Sequence, residues 1–282
     1  AEARAASWGT TALVPTMGFL HEGHLSLIET ARNSADTVVV SNFVNPLQFG
    51  EAADLEAYPR DLDRDNELCR MAGVDVVFAP TLEEMYPVPP TTTIVPGPPA
   101  AGMEGAHRPG HFEGVAAAVA KLLGGLRPDR AHFGRKDAQQ LAVVRSLVRD
   151  LSLPVEIVPG ATVREADGLA LSSRNVRLSD RRPALALSAG LFAAADLAER
   201  GERSGARLVD AVAAAVPDAE YIALVDEQTM EEWTEVQGVC VLATAARFDG
   251  IRLIDNVVLT ESGGRVVADR GVRLPEPSVI HR

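Results

Sequence analysis

Two histidines near the start of the chain are spaced so that they could act on one ligand. His21 and His24 lie in the run TALVPTMGFLHEGH, residues 11–24, with Gly23 between them. A zinc-binding protease helix has His-Glu-x-x-His, which puts both rings on one helix face. Here the spacing is one residue shorter, a glycine interrupts it, and no cysteine cluster would complete a metal site. A metal pair, a pair without function and a phosphate site are the alternatives.

The residues around the pair favour the phosphate site. Thr11–Pro15 is predicted to be a buried strand, and Leu25–Arg32 has the pattern of a helix. Gly18 and Gly23 mark the turn between them. Backbone N–H groups at a helix N-terminus attract anions, and imidazoles beside them can contact a phosphate. Because the Gly-Lys-Ser/Thr ending of a Walker loop is absent, we predict a different kind of nucleotide site.

A second group of candidates lies in FGRKDAQQ, residues 133–140. Lys136, close to Gly134 at a strand end, can neutralise a phosphate. Asp137 can accept from a ribose hydroxyl, and Gln140 lies about one helical turn further on. The alternative is a solvated loop in which Asp137 is an ordinary helix N-cap.

Two further polar runs complete the candidates. In TVREADGLALSSRN, residues 162–175, the segment Ser172–Arg174 offers two hydroxyls and a guanidinium that suit a pyrophosphate, or it is simply a polar turn. In NFVNPLQF, residues 42–49, Asn45 and Gln48 follow a buried strand. Their amides suit a substrate with hydroxyl and carboxylate groups.

Strands and helices are predicted to alternate through the first part of the chain. The predicted strands are Thr11–Pro15, Thr37–Val44, Val74–Phe78, Thr91–Val95, Arg130–Phe133 and Val155–Val158, and the predicted helices are Leu25–Arg32, Leu62–Ala72, Phe112–Leu126 and Asp137–Leu151. Such alternation predicts an α/β fold with a parallel sheet, in which ligands lie beyond the carboxyl ends of the strands. The histidines, Asn45–Gln48 and Gly134–Asp137 each follow a strand, so we expect them to converge.

The pattern changes after about residue 162. Two alanine-rich helices are predicted at about 182–200 and 204–215, followed by strands at Tyr221–Val225, Val239–Ala246 and Arg252–Ile254. We therefore predict two domains, residues 1–162 and a smaller α+β domain of residues 163–282.

Composition narrows the class of protein. A formal net charge of −12 argues against nucleic-acid binding, which needs a basic face. No apolar run approaches the ~20 residues of a membrane span, and the first residues lack the apolar core of a signal peptide. Cys69 and Cys240 lie among apolar neighbours, as buried thiols of a reducing compartment do. We expect a cytoplasmic protein without nucleic-acid or membrane partners.

In this order, the runs resemble the pantothenate synthetase (pantoate–β-alanine ligase) family. The similar runs are VPTMGFLHEGH, FVNPLQF, AYPRDLDRD, RPGHFEGV, RPDRAHFGRKDAQQL, TVREADGLALSSRN and RLIDN. The resemblance implies a Rossmann-like fold of the HIGH-type nucleotidyltransferase class, with a smaller C-terminal α+β lid domain, in a homodimer. It implies condensation of (R)-pantoate with β-alanine to pantothenate, with ATP and Mg²⁺, through a pantoyl adenylate. Pyrophosphate would leave when this adenylate forms, and AMP would leave when the amine of β-alanine attacks it.

The resemblance also implies roles for individual residues. His21, His24 and Lys136 would be catalytic at the ATP phosphates, with His21 as proton donor. The other residues that would border ATP are Pro15, Thr16, Met17, Gly18, Gly134, Arg135, Asp137, Val163, Leu171, Ser172, Ser173 and Arg174. Pantoate and β-alanine would be held by Gln48 and Gln140, with Asn45, Met17 and Tyr58 beside them. Ligands for the metal are not implied.

Four positions depart from the residues usual in that family. Arg135 stands where Glu is usual, which reverses a charge in the nucleotide loop. Ala138 replaces an aromatic residue, Leu171 replaces Met, and Phe19 fills a place often held by Ala or Tyr. Two alternatives therefore stay open: an impaired nucleotide-binding homologue, and a related His-x-Gly-His nucleotidyltransferase with another acceptor.

Overall fold

The computed structural model describes residues 8–281, which form two compact units. The first unit contains the described residues up to Arg135 together with Gln139–Gly160. The second contains Lys136–Ala138 and the residues from Ala161 onward. The segment that carries Lys136 therefore groups with the later part of the chain.

A five-stranded parallel sheet forms the centre of the first unit. Its strands are β1 (Thr11–Thr16), β2 (Thr37–Asn42), β3 (Val76–Phe78), β4 (Arg130–Gly134) and β5 (Glu156–Gly160). Their order across the sheet is β3-β2-β1-β4-β5, so the direction of winding reverses between β1 and β4. Ligands of such sheets bind outside the carboxyl ends of the strands near this reversal. The predicted α/β class is confirmed.

Helices of this unit pack on both faces of the sheet. They are α1 (Glu22–Arg32), α2 (Ala52–Glu56), α3 (Leu62–Met71), α4 (Leu82–Met85), α5 (Met103–His107), α6 (His111–Leu126) and α7 (Ala138–Asp150). Side chains alternate along a strand, so Ala12 and Val14 pack with α1, while Leu13 packs with α6 and α7. Because both faces of the sheet are covered, β1 is apolar almost throughout. The polar residues that follow β1 in the chain lie beyond its carboxyl end.

The predicted strand at Thr91–Val95 is wrong. The segment has no strand partner and is mostly exposed. Pro90 and Pro96 flank it and cannot donate to a sheet, and of its five residues Ile94 alone is partly buried. A smaller difference follows β4, where a 3₁₀ turn at Arg135–Asp137 precedes α7.

The second unit is built around an antiparallel sheet with the order β10-β9-β8-β7. Its elements are β6 (Val163–Arg164), α8 (Leu185–Glu199), α9 (Gly205–Ala215), β7 (Tyr221–Asp226), β8 (Val239–Phe248), β9 (Ile251–Ser262), β10 (Arg265–Asp269) and β11 (Val272–Arg273). β6 and β11 pair with each other in parallel. The α+β character is confirmed. The strand predicted at Arg252–Ile254 is longer in the structure, because β9 continues through the polar pair Asp255-Asn256, which interrupts its apolar pattern.

Small side chains let the helices of this unit pack closely. Ala194, Ala195 and Ala198 of α8 are fully buried and share a core with leucines of the sheet. A Cβ at Gly190 would lie 3.1 Å from the Ala215 Cβ, so α8 and α9 approach at this point. The alanine-rich runs therefore form a packed layer. Within residues 8–281, no helix has the length and apolar character to cross a membrane.

Candidate functional site

The turn between β1 and α1 places both histidines at a helix N-terminus. His21 is the N-cap residue of α1, and its Nδ1 accepts from the Gly23 N–H at 3.1 Å. His24 Nδ1 accepts in return from the His21 N–H at 3.3 Å, and the ring centroids are 4.1 Å apart. The imidazoles thus make the reciprocal bonds that Ser or Thr and Glu make in a capping box.

These bonds set the tautomer of both rings. A ring nitrogen that accepts a hydrogen bond carries no proton, so each neutral imidazole is protonated at Nε2. His21 and His24 are therefore Nε2–H donors, beside the backbone N–H groups and the positive dipole end of α1. This arrangement can donate to the oxygens of a phosphate.

Asp65 of α3 holds the turn that leads to the histidines. Asp65 is buried, and its carboxylate accepts from the N–H groups of Phe19 and Leu20, each at 2.7 Å. It also accepts from Asn42 Nδ2 at 2.8 Å. Phe19 has a φ of +50°, which residues with a side chain rarely adopt. The hydrogen bond to the Asp65 carboxylate stabilises this backbone conformation. The run AYPRDLDRD contains Asp65, but nothing in its pattern identified this residue.

Gly18 is required by the same turn. Its φ is +83°, and a Cβ there would lie 2.4 Å from Asn42 Oδ1. The Thr16 hydroxyl accepts from the Gly18 N–H at 3.1 Å and donates to the Ser41 carbonyl at 2.8 Å. Thr16 and Gly18 therefore shape the backbone at the end of β1.

Asn45 holds the Gln48 side chain in place beside this turn. The buried Asn45 amide donates to the Gly114 carbonyl at 2.9 Å and to Gln48 Oε1 at 3.1 Å. Its Oδ1 accepts from the Tyr86 hydroxyl at 3.1 Å. Gln48 Nε2 then lies 3.0 Å from Met17 Sδ, so the structure brings the run after β2 to the turn after β1.

The two adjacent glutamines of α7 differ in what they contact. Gln139 is buried, and its amide bonds to the Glu104 N–H at 3.0 Å and the Pro99 and Ala101 carbonyls at 3.1 and 2.9 Å. Gln140 is half-buried, and its side chain has no hydrogen bond to the described residues. Of the pair, Gln140 is the one whose amide can bind a ligand.

Tyr58 is buried rather than displayed. Its ring packs edge-on against Phe49 with centroids 5.7 Å apart, and its carbonyl accepts from Arg60 at 2.9 Å. This supports the segment after β2, and the predicted contact of Tyr58 with substrate stays a prediction.

A cavity of about 400 Å³ opens at the carboxyl ends of three strands in the first unit. Met17 and Gly18 after β1, Phe43 and Val44 after β2, and Ala79 after β3 contribute to its lining. The histidines are not among the lining residues. The cavity therefore adjoins the β1 turn from the side opposite to the reversal of strand order.

The second unit brings together candidates from two separate runs. Lys136 and Ser172 line one small cleft of about 10 Å³, and Lys136 Nζ lies 3.7 Å from Asp137 Oδ1. Ser172 caps a 3₁₀ turn at Ser173–Arg177, where its Oγ accepts from the Arg174 N–H at 3.3 Å. A lysine and a capped turn with a guanidinium are groups that bind phosphate.

Val163 and Leu171 are buried in this unit, next to the same turn. The Leu171 N–H donates to the Val163 carbonyl at 2.9 Å, and both side chains are enclosed. The predicted border with adenine stays a prediction for these two residues.

The cysteines are not suited to nucleophilic chemistry. Burial raises the pKa of the Cys69 thiol to about 11, and burial also raises the pKa of Cys240 to about 11. Thiols with such pKa values are protonated at neutral pH and unreactive. The chemistry of the site therefore belongs to the imidazole, amine, hydroxyl and amide groups.

Comparison with known proteins identifies the family to which the chain is similar. The family model of pantoate-beta-alanine ligase matches residues 1–258. A pantothenate synthetase of Heliobacterium modesticaldum is 51% identical over 257 residues, covering 89% of this chain and 92% of its own. That of Thermobifida fusca is 52% identical over 267 residues, covering 89% and 90%.

Solved structures give the same result. A pantothenate synthetase of Thermus thermophilus superposes with a TM-score of 0.86 at 48% identity, over 89% of this chain and 94% of that one. The pantoate-beta-alanine ligase of Francisella tularensis, complexed with beta-gamma ATP and beta-alanine, superposes with a TM-score of 0.73 at 32% identity, over 89% and 90%. Similarity in sequence and in structure thus extends over both units.

Proposed function

The chain belongs to the pantoate-beta-alanine ligase family, and we propose that its reaction runs through a pantoyl adenylate. Its activity is the ATP-dependent joining of pantoate to β-alanine, which yields pantothenate. In the proposed route, the pantoate carboxylate attacks the α-phosphate of ATP and pyrophosphate leaves. The amine of β-alanine then attacks the acyl carbon, loses a proton and displaces AMP. The Francisella tularensis structure with beta-gamma ATP and beta-alanine supports sites for both of these substrates.

The reciprocal bonding of His21 and His24 is the observation that carries the proposal. Each Nδ1 accepts a hydrogen bond from a backbone N–H at the helix N-terminus. This bond fixes the orientation of each ring, and therefore the direction of its Nε2–H. Charge that develops on the phosphates is then met by donors that are already in place. We assign the two rings to the ATP phosphates, with His21 as the proton donor.

We also assign phosphate binding to residues of the second unit. Lys136 supplies a positive charge, and the turn Ser172–Arg174 supplies hydroxyl, N–H and guanidinium donors for the leaving pyrophosphate. Gly134, Arg135 and Asp137 belong to the same nucleotide loop in this assignment, in which Asp137 accepts from the ribose.

Pantoate is assigned to the amides of Gln48 and Gln140. Gln48 is fixed by Asn45 next to Met17, whereas the Gln140 amide has no hydrogen bond within residues 8–281. Amides can donate to the pantoate carboxylate and hydroxyls while accepting from the latter. Their positioning lowers the cost of bringing two anions together.

We propose that Mg²⁺ accompanies ATP. Among the described residues, no three His, Cys, Asp or Glu side chains come together as a metal site. The described residues therefore offer no preformed metal site, and phosphate oxygens and water would hold the metal, which would offset negative charge on the phosphates. We also propose that the enzyme is cytoplasmic and that it forms a homodimer. Analytical ultracentrifugation would test the homodimer.

Pantoate-dependent exchange of label between pyrophosphate and ATP tests the proposed route. Exchange is expected with pantoate and ATP alone, because the adenylate forms before β-alanine reacts. No exchange while ATP still binds would overturn the adenylate and support an impaired homologue. Exchange without pantoate would point to a different acceptor.

Substituting Gln140 separates pantoate binding from ATP binding. Gln140→Ala is expected to raise the pantoate KM about tenfold, the loss of one or two hydrogen bonds, with the ATP KM unchanged. Steady-state kinetics with each substrate varied gives both values. An unchanged pantoate KM would contradict the assignment.

A further inference from the structure

Two runs of the sequence, VREADG and RLIDN, contain charged residues that have no part in the roles assigned above. Their charged residues meet inside the second unit, where the side chains of Arg164 and Asp255 are each 1% exposed. The guanidinium donates twice to the carboxylate, at 2.7 and 2.9 Å. Burying two charges costs desolvation energy, so such a pair is weak evidence for a role in stability. The groups bonded to it suggest another role.

The ion pair ties three backbone segments together. Arg164 donates to the Gly168 carbonyl at 3.2 Å, to the Asn256 carbonyl at 3.0 Å and to the Arg270 carbonyl. Asp255 accepts from the Asn256 N–H at 2.7 Å. The backbone of Asn256 is therefore fixed on both sides by the two members of the pair.

The Asn256 side chain extends from this frame to the nucleotide loop. Its Nδ2 donates to the Lys136 carbonyl at 2.8 Å, and the residue is buried. Lys136, Asp255 and Ser172 all line the same small cleft. A chain of bonds thus runs from Arg164 through Asn256 to the backbone of Lys136.

We propose that Asn256 is a positioning residue for Lys136, and that the Arg164–Asp255 pair is the frame that holds Asn256. The inference rests on the proposed role of Lys136 at the ATP phosphates. By fixing the Lys136 carbonyl, Asn256 fixes the direction in which the lysine side chain leaves the backbone. Displacement of a catalytic group by about 1 Å can cost about 10²-fold in rate, so a single hydrogen bond here has a large effect.

A double-mutant cycle with Lys136 tests the inference. Asn256→Ala in the otherwise native enzyme is expected to lower kcat/KM for ATP in the pantoate-dependent exchange at least ~10-fold. In the Lys136→Ala background the same change is expected to cost less than about twofold, because no ammonium is left to position. Asn256→Ser, whose side chain is too short to reach the Lys136 carbonyl, is a second variant with the same expected result.

Thr244→Val is the matched control. Thr244 is buried on β8 opposite Asp255, and its hydroxyl donates to the Tyr221 carbonyl at 3.0 Å, a bond that is not part of the chain from Arg164 to Lys136. Its loss should lower the melting temperature comparably while kcat/KM for ATP stays within about twofold. If Thr244→Val slows exchange as much as Asn256→Ala does, general destabilisation is the cause and the inference is overturned.

The remaining outcomes separate the inference from the function that it rests on. Equal losses from Asn256→Ala in both backgrounds, or native exchange in Asn256→Ala and Asn256→Ser, overturn the inference alone. Native exchange in Lys136→Ala overturns the proposed role of the lysine, and the inference with it. A large loss in the native background that disappears in the Lys136→Ala background supports the inference.

Discussion

At the scale of the residue, His21 does two things with one ring. Nδ1 caps α1 by accepting from the Gly23 N–H, and Nε2 carries the proton assigned to phosphate. Capping needs only an acceptor, which Asn also provides, whereas the Nε2–H donor is particular to the imidazole. The two roles can therefore be separated by substitution.

His21→Asn should keep the helix and lose the chemistry. Asn is among the best N-caps, so we expect a melting temperature within about 2 °C of the native enzyme. His24 keeps its bond, because it accepts from the backbone of residue 21. Pantoate-dependent exchange should fall at least ~10²-fold, the cost of removing a preorganised donor. His21→Ala should show the same loss of rate together with about 1 kcal/mol of lost stability. A rate within threefold of native in His21→Asn would contradict the assignment.

At the scale of the element, α3 positions α1. In the turn between β1 and α1, the backbone N–H groups lie outside the hydrogen-bonding pattern of both the strand and the helix. Asp65 accepts from two of them, and from the Asn42 side chain, using the two oxygens of one carboxylate. The conformation that aims the histidines thus depends on a residue of another helix.

Asp65→Asn tests this dependence. The new amide would place an NH₂ group where a donor now arrives, which leaves a buried N–H unsatisfied and costs about 1–3 kcal/mol. We expect a lower free energy of unfolding in urea and a slower exchange reaction. Asp63→Asn is the control, because Asp63 is exposed on the same helix and its change should stay within about 0.5 kcal/mol. Equal stability and rate in the two variants would count against the role given to Asp65.

At the scale of the whole molecule, a histidine within the sheet links stability to pH. His132 of β4 is 1% exposed, and neither ring nitrogen has a hydrogen-bond partner in the part of the chain that the structure describes. Burial, with the nearby Arg130, lowers the pKa of His132 to about 4. In the unfolded chain its pKa is about 6.5, so between these values the unfolded state binds more protons.

Stability should therefore be complete above about pH 6.5 and fall as the pH drops towards 4, by about 3 kcal/mol from this group. His132→Phe is expected to remove that part of the pH dependence, since a neutral ring then fills the site at every pH. Urea unfolding at pH 5 and pH 7 measures it. His107→Phe, at an exposed position of the first unit, should leave the dependence in place. An unchanged slope in His132→Phe would contradict the prediction.

Local patterns determine much of this protein. The apolar runs of β1 and β2, the glycines of the first turn and the alternation of strand and helix predicted the parallel sheet and placed the histidines at a helix start. The two imidazoles, the lysine and the Ser-Ser-Arg run each suit phosphate but each had a non-functional alternative, and it was their order along the chain that resembled a known family. Thr91–Val95 shows the weakness of such patterns, since β-branched residues do not make a strand when prolines flank them and no partner covers them.

The positioning groups depended on contacts that no local pattern contains. Asp65 meets Phe19 across 46 positions, Arg164 meets Asp255 across 91, and Asn256 meets Lys136 across 120. A side chain's type shows which bonds it can make, but its partner is whichever backbone group the packed fold leaves unsatisfied beside it. Types and spacing therefore predicted phosphate-binding groups, and the resemblance of the ordered runs to a known family implied the substrates. Folding assigned the Nε2 protons, separated Gln140 from Gln139, and brought Asn256 to Lys136.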